Sequence, residues 1–299
     1  MDGTREIDDE QAKRWNGPAA QAWIDAQVVL DRLFKPLEIL LVNAVSERAP
    51  RTVLDVGSGA GGTTLAVARL LGTAGSCTGI DVSEPMVAAA RARAAQERTP
   101  ASFICANAQA HAFEPASYDM MISRFGVMFF NDPVAAFTNL QRATKYDGEL
   151  RFIVWRSAED NPFMTTAERA AAPLLPNLPP RRADAPGQFA FADAGRVHAV
   201  LHESGWTDIE LHPIDAPCTL PESELVRYVS RLGPVGLALQ EADDDTRRRV
   251  IDTVLPAFEP FVHGPDVRFM AACWMMSARA GAAQRTEERG DPGKPWLAE

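Results

Sequence analysis

Cysteine is scarce in this chain of 299 residues: Cys77, Cys105, Cys218 and Cys273 are all it has, and no two share a C-x-x-C spacing. Two of the four lie in apolar runs, where a reduced, packed thiol is the ordinary state. A disulfide framework and a thiolate zinc site are therefore not expected, and a reducing compartment is. Basic residues are outnumbered, 30 Lys and Arg against 40 Asp and Glu for a formal charge of -10, and form no extended block. Binding to nucleic acid or to an anionic membrane relies on Lys and Arg neutralising phosphates, so neither is an expected partner. Long apolar runs are missing too. No window approaches the roughly 18 apolar residues that a bilayer-spanning helix needs, and residues 1–10 are acidic, without the basic-then-apolar order of a secretion signal. The expected location is the cytoplasm, with no membrane insertion.

What the chain does have is enough apolar residue, 46% of the whole, to build the core of one large or two small domains. The period of that apolar pattern switches repeatedly, and the switching indicates the fold class. Thr52-Val53-Leu54-Asp55-Val56 is a short β-branched run followed at once by glycines, whereas 63–71 has apolar residues at helical spacing. The first reads as a buried strand and the second as a helix. Residues 75–81, 103–105, 119–123 and 149–155 read as four more strands, with a helix opened by Ser83-Glu84-Pro85 and another over 133–144. Ser83 can cap free amides there, and Pro85 sits where its missing N–H costs nothing. Strands alternating with helices in this way describe a parallel sheet covered on both faces. A helix over 194–204, a sixth strand over 207–212 and a seventh over 266–276 follow, and one or two helices over 19–45 are expected across the ligand end of the sheet.

The most informative stretch is Asp55-Val56-Gly57-Ser58-Gly59-Ala60-Gly61-Gly62, between the first strand and the first helix. Its spacing admits two patterns. Gly57, Gly59 and Gly62 satisfy the G-x-G-x-x-G of a dinucleotide site, while Gly57, Gly59 and Gly61 satisfy the G-x-G-x-G that follows an acid in adenosylmethionine sites. Asp55 separates them. A carboxylate at the tip of the first strand opposes a pyrophosphate but accepts hydrogen bonds from a cationic amine, and S-adenosylmethionine carries an α-ammonium and a sulfonium and no phosphate. Asp81 closes the second strand 22 residues after Gly59, and its two oxygens suit the 2′ and 3′ hydroxyls of a ribose. Each acid taken alone could instead cap a neighbouring helix.

On these residues the sequence resembles the class I S-adenosylmethionine-dependent methyltransferases, in particular the small-molecule enzymes related to the ubiquinone/menaquinone methyltransferases. Val53-Leu54-Asp55-Val56-Gly57-Ser58-Gly59-Ala60-Gly61 matches the family's first motif, and Gly79-Ile80-Asp81-Val82-Ser83-Glu84-Pro85-Met86 matches its ribose-binding motif. Cys105-Ala106-Asn107-Ala108-Gln109 departs from it, since Asn107 stands where the family usually has an acid. Ile122-Ser123-Arg124-Phe125-Gly126-Val127-Met128-Phe129-Phe130 matches the end of the fourth strand, where the methionine portion and substrate meet. The resemblance implies a Rossmann-like, doubly wound α/β fold: a seven-stranded, mostly parallel sheet with helices on both faces, N-terminal helices and a helical lid insertion. It implies adenosylmethionine as cofactor, leaving adenosylhomocysteine as product. The expected cofactor residues are Asp55, Gly57, Ser58, Gly59 and Gly61 on the loop, and Asp81, Val82 and Met86 on the ribose and adenine side. Asn107, Ala108, Gln109, Ser123 and Trp15 complete that set.

The implied reaction is an in-line displacement onto an O, N or C nucleophile of a small, largely apolar acceptor, and alignment is the main demand it makes of a protein. Aromatic walls suit a sulfonium. Phe125, Met128, Phe129, Trp155 and Phe163 are the expected substrate pocket, with Trp15 and Trp23 as further ring candidates. Arg124 is the one catalytic or positioning candidate, with a tie to the N-terminal segment as its other reading. His198 and His202 stand at i,i+4, but no third ligand is near and no metal is expected. The expected divisions are 1–48 as an N-terminal helical segment, 49–156 as the cofactor core, 157–192 as a lid insertion, 193–278 as the rest of the core with a helical insertion at 221–262, and 279–299 as a loose tail. A homodimer is compatible with all of this. An NAD(P)-binding oxidoreductase on the same glycines and a cofactor-binding or dimerisation module without catalysis stand as alternatives. A base-amino methyltransferase of nucleic acids is disfavoured, because Ser123-Arg124-Phe125-Gly126 is not the Asn/Asp-Pro-Pro-aromatic motif of those enzymes.

Overall fold

Short β-branched runs that end in glycine or an acid become the parallel strands of one sheet in the computed structural model, which describes residues 11–182 and 185–281. The acidic start at 1–10 and the tail from 282, with its Trp296-Leu297 pair, lie outside the described residues. Strands β1 (Thr52–Val56), β2 (Ser76–Asp81), β3 (Ala101–Cys105), β4 (Tyr118–Arg124) and β5 (Thr144–Trp155) pair in parallel in the order β3-β2-β1-β4-β5. Beyond β5, β8 (Asp266–Ala280) runs antiparallel to it, and β6 (Trp206–Pro221) closes the edge antiparallel to β8.

The sheet has eight strands where seven were expected. The extra one, β7 (Val262–His263), folds back on β8 through a two-residue turn in which Gly264 takes a positive φ of 65°. Strands β6 and β8 are also longer than the apolar pattern implies, 16 and 15 residues. Pro213, Pro217 and Pro221 obscure β6 in the sequence. All three have the same parity in the strand, so their missing donors fall on one side, and an edge strand tolerates that. Residues 18–48 form three helices, Pro18–Asp25, Gln27–Leu33 and Lys35–Arg48, where one or two were expected over 19–45. Pro18 and Pro36 sit in first turns, where a proline starts a helix and cannot continue the one before it.

Both faces of the sheet are buried. Val53 of β1 and Met120 and Ile122 of β4 pack with Val45 and Val67 of the helices Lys35–Arg48 and Gly62–Leu71. The alternate residues Leu54, Val56 and Met121 join the large cluster that includes Phe137 and Leu140 of the helix Pro133–Ala143. Side-chain caps start the helices where the sequence offers them: Ser83 Oγ accepts from Met86 N at 3.4 Å, and Asp132 Oδ1 accepts from Ala135 N at 2.9 Å. The 157–192 stretch contributes the helix Pro162–Ala171, and 222–261 contributes the helices Leu225–Arg231, Gly233–Glu241 and Asp244–Val254. No helix among the described residues is long and apolar enough to cross a membrane.

Two backbones meet where β1 and β4 end. Gly57 takes a positive φ of 69°, and a Cβ there would lie 2.5 Å from Gly126 Cα; a Cβ on Gly126 would lie 2.4 Å from the Val56 carbonyl oxygen. Backbone cannot swing aside as a side chain can, so Gly126→Ala is expected to lower stability by about 1–3 kcal/mol, the usual cost of overpacking. Urea unfolding monitored by tryptophan fluorescence checks this; an unchanged midpoint would mean that the two loops are free to separate.

Candidate active site

Neighbouring strands β1 and β4 send their chains in opposite directions, one through the helix Gly62–Leu71 toward β2 and the other through Pro133–Ala143 toward β5. Their C-terminal ends therefore flank a crevice, the usual ligand position in an open α/β sheet. A cavity of about 530 Å³ opens there. Its floor comes from the glycine loop and the ends of β2, β3 and β4, and its cover from the N-terminal helices and the segments 163–168, 179–182, 185–190 and 228–237.

The glycine loop is held flat against β2: Gly57 N and Ser58 N both donate to the Ile80 carbonyl, at 2.8 and 3.1 Å. Asp81 stands in the cavity wall with both oxygens anchored, Oδ2 accepting from Gly59 N at 2.8 Å and Oδ1 from Ser83 N at 2.9 Å. An ionised carboxylate has about four acceptor sites, so each oxygen keeps capacity for a ligand hydroxyl. Burial raises the Asp81 carboxyl pKa above its usual range, against the backbone bonds that lower it.

Three of the expected cofactor residues, Asp55, Gly61 and Ser123, are not among the residues that line the cavity. Asp55 is 1% exposed, behind the loop, where Oδ2 accepts from Thr64 Oγ1 at 2.6 Å. Burial is the main reason its pKa rises to about 7; Asp81 and Glu38 push it further up, while the Thr64 hydroxyl and Arg124 oppose the rise. Gly61 turns the chain into the next helix with a φ of 83° and faces Ala90 and Phe103. Ser123 Oγ is buried, donating to the Val56 carbonyl at 2.7 Å and accepting from Gly126 N at 3.2 Å. Thr64 encloses Asp55, and Val56 and Gly126 enclose Ser123, contacts that the sequence pattern alone does not show.

The other expected residues converge. Gly57, Ser58 and Gly59 line the cavity from the loop, with Val82 and Met86 beside Asp81. Asn107, Ala108 and Gln109 line it after β3; Asn107 Oδ1 accepts from Gln109 N at 3.0 Å, so the amide that replaces an acid also shapes its own turn. Two wall atoms suggest a polar ligand. Ser58 Oγ and Gln11 Oε1 are buried without a hydrogen-bond partner among the described residues, a state that is costly unless a ligand or water completes it.

The cover is tied to the floor by polar contacts. Asn16 Oδ1 accepts from Glu84 N at 2.9 Å and its Nδ2 donates to the Val82 carbonyl at 3.1 Å, which sets Trp15 edge-on to Phe129 with centroids 5.1 Å apart. Arg124 Nη1 donates to the Phe34 carbonyl at 3.4 Å and the guanidinium lies 5.8 Å from the Phe34 ring, so this arginine both lines the cavity and holds the N-terminal segment. Asp31 pairs with Arg93 at 2.8 Å and stands so close to the loop that a Cβ on Gly62 would lie 2.7 Å from its Oδ1. Neither Asp31 nor Gln11 was singled out from the sequence, since each arrives from a helix far from the glycine motif.

Aromatic rings fill the remaining wall. Phe125 takes a left-handed φ of 69°, a strained state for a non-glycine residue, and its ring stacks on Trp155 at 4.5 Å with 6° between planes. Met128, Phe129 and Phe163 also line the cavity, and Phe163 stacks on Phe269 at 3.9 Å. Trp23 lines it as well, with 37% of its surface exposed. His198 and His202 are stacked 6.4 Å apart on their helix and do not line the cavity. Among the described residues no three His, Cys, Asp or Glu are grouped so as to hold a metal.

Residues 53–148 match a family model described as a methyltransferase domain. Nocamycin O-methyltransferase of Saccharothrix syringae is 27% identical over 201 residues, 64% of this chain and 71% of that protein. A ubiquinone/menaquinone biosynthesis C-methyltransferase of a Marinomonas species is 27% identical over 50% of this chain and 61% of its own length. The chain spans about half the length (47%) of the mycobacterial relatives it matches. Among solved structures, the YcgJ protein of Bacillus subtilis shares the fold at a TM-score of 0.54 with 16% identity, over 82% of this chain and 97% of that one. The matched domain sides with the G-x-G-x-G reading of the glycine loop over the dinucleotide reading.

Burial of the Asp55 carboxyl makes the stability of the fold depend on pH. The folded state holds the proton up to about pH 7, whereas the unfolded carboxyl releases it near 3.8. The native state thus binds more protons across that window, and stability falls as pH rises through it. Asp55→Asn, which removes the ionisation, is expected to flatten that fall. Urea midpoints at pH 5 and pH 8 check this; an equal drop in both proteins would show that Asp55 ionises freely.

Proposed function

We propose that this chain, whose residues 53–148 match a methyltransferase domain, is a class I S-adenosylmethionine-dependent methyltransferase that binds adenosylmethionine in the crevice and moves its methyl group to an O, N or C atom of a small, largely apolar molecule. The observation that carries the reading is Asp81, fixed by the Gly59 and Ser83 amides in a cavity wall that faces aromatic rings. Asp81, an acid in the cavity wall beside the glycine loop, opposes a pyrophosphate and favours a phosphate-free ligand. Bound adenosylmethionine supplies a methyl group already activated by the sulfonium charge.

The residues divide the work. Asp81 would accept from the ribose hydroxyls, while Val82, Met86 and the Asn107-Ala108-Gln109 turn would enclose the adenine. Trp15 and Gln11 would cover that end, with Asn16 holding the segment down. Asp31 and Arg124 stand beside the loop with the charges to meet an ammonium and a carboxylate. The Phe125 and Trp155 stack, with Phe129 and Phe163, would exclude water and present ring faces to a sulfonium, an attraction of about 0.5–2 kcal/mol for each ring in place.

No histidine lines the cavity among the described residues, and its acids are engaged: Asp81 by amides, Asp31 by Arg93 and Glu168 by Arg181. The reaction therefore rests on alignment, a contribution of up to about 7–11 kcal/mol, and on the acceptor's own acidity. Small-molecule methylation by the nocamycin and ubiquinone/menaquinone relatives supports an organic acceptor of that size.

Titration calorimetry with adenosylhomocysteine and, separately, NAD tests the reading. Adenosylhomocysteine is expected to bind and NAD not to; the reverse would overturn it. Asp81→Ala should weaken adenosylhomocysteine by about 1.5–3 kcal/mol through loss of charge-assisted hydrogen bonds, and unchanged affinity would remove Asp81 from the site.

A further inference from the structure

Although the chain carries a formal charge of -10, its cavity wall is rich in arginine. Arg14, Arg124, Arg181, Arg182 and Arg231 line it among the described residues, against Asp31, Asp81 and Glu168. Arginine therefore outnumbers acid at the one place where a ligand is enclosed, and the acids are spoken for. Glu168 is held at two points by Arg181, with Arg181 Nε 2.9 Å from Oε2 and Nη2 2.5 Å from Oε1. Asp31 is paired with Arg93, and Asp81 takes two backbone amides.

Arg231 is different. It is exposed, lines the cavity, and has no ion-pair or hydrogen-bond partner among the described residues. It ends the helix Leu225–Arg231, three residues after Tyr228, a spacing that puts both side chains on one helix face. Tyr228 also lines the cavity. Its hydroxyl has one bond, to the Met164 thioether at 3.7 Å, and a thioether is a weak acceptor that leaves the proton available to a better one. Burial pushes the Tyr228 phenol well above its usual range, so it acts as a donor and not as a base. Its ring stands 5.6 Å from Phe163, which is itself stacked on Phe269. A half-buried phenol with an available donor and an unpaired guanidinium thus adjoin on one side of the cavity.

Resting on the adenosylmethionine reading above, we infer that the methyl acceptor is an aromatic acid, its ring beside the half-buried Tyr228, its carboxylate on Arg231 and a neighbouring oxygen accepting from the Tyr228 hydroxyl. A guanidinium fits a carboxylate at two points, which makes this recognition stronger and more directional than contact with a neutral ring. The anion stays on the arginine, so the nucleophile is a second group on the same ring.

1-Hydroxy-2-naphthoate and 1-naphthol share a ring system and differ in the carboxylate, and they serve as probes in calorimetric titrations of the full chain with adenosylhomocysteine present. The naphthoate is expected to bind at least about tenfold tighter than the naphthol, and Arg231→Gln to abolish that preference while leaving adenosylhomocysteine affinity unchanged. Tyr228→Phe should weaken the naphthoate several-fold with adenosylhomocysteine again unaffected, which also shows that the variant folds. Equal binding of the two probes by the wild type, binding of neither, or a preference that survives in Arg231→Gln would each overturn the proposal. Weakened adenosylhomocysteine in Arg231→Gln would assign the arginine to the cofactor and overturn it too. Failure of the wild type to bind adenosylhomocysteine is a distinct result, and it removes the cofactor reading on which the proposal rests.

Discussion

The contact between Gly57 and Gly126 is the constraint on which the rest of the site depends. A side chain on either residue would place its Cβ within 2.5 Å of the other strand's backbone, so the tips of β1 and β4 can approach only as bare main chain. Because they do approach, Ser123 Oγ can bridge them, donating to the Val56 carbonyl and accepting from Gly126 N. The glycine loop is then held where Gly59 N reaches Asp81. The crevice follows from this meeting, since β1 and β4 lead onward to opposite sides of the sheet.

Costs gather at the same place. Asp55 is buried behind the loop with its pKa raised to about 7, and Phe125 holds a left-handed backbone beside Gly126. Each is retained by its surroundings: Thr64 donates to the carboxylate, while Phe125 N donates to the Ile153 carbonyl at 2.9 Å and its ring stacks on Trp155. Strain and a buried acid at a switch point are common signs of a ligand site, because a ligand can repay what the free fold leaves unfavourable.

The N-terminal helices complete the enclosure. Residues 15–16, Asp31 and Phe34 come from elements that precede the sheet in sequence, and each is tied to the cofactor side through Val82, Glu84, Arg93 or Arg124. The helix Leu225–Arg231 meets the same cover, with Arg227 donating to the Asp25 carbonyl. Two distant parts of the cavity's cover thus also touch each other.

Local chemistry made much of this legible in the residues alone. Val53 to Gly61 announces a strand, a turn and a helix because β-branching, glycine φ freedom and helical spacing act over a few residues, and Ser83 and Pro85 open their helix for equally local reasons. Asp81 was legible as well, since its place at the end of β2 is set by strand length and the following turn. Other features depend on what packs against what. Pro213, Pro217 and Pro221 disguise a strand that is tolerated because it lies at the sheet edge. Asp55 and Ser123 are buried by Thr64 and by Val56 and Gly126, which come from other elements. Asp31, Gln11, Tyr228 and Arg231 lie on helices whose own patterns say only which side is apolar. Their convergence on one cavity is a property of long-range packing, which no periodicity within a single helix encodes.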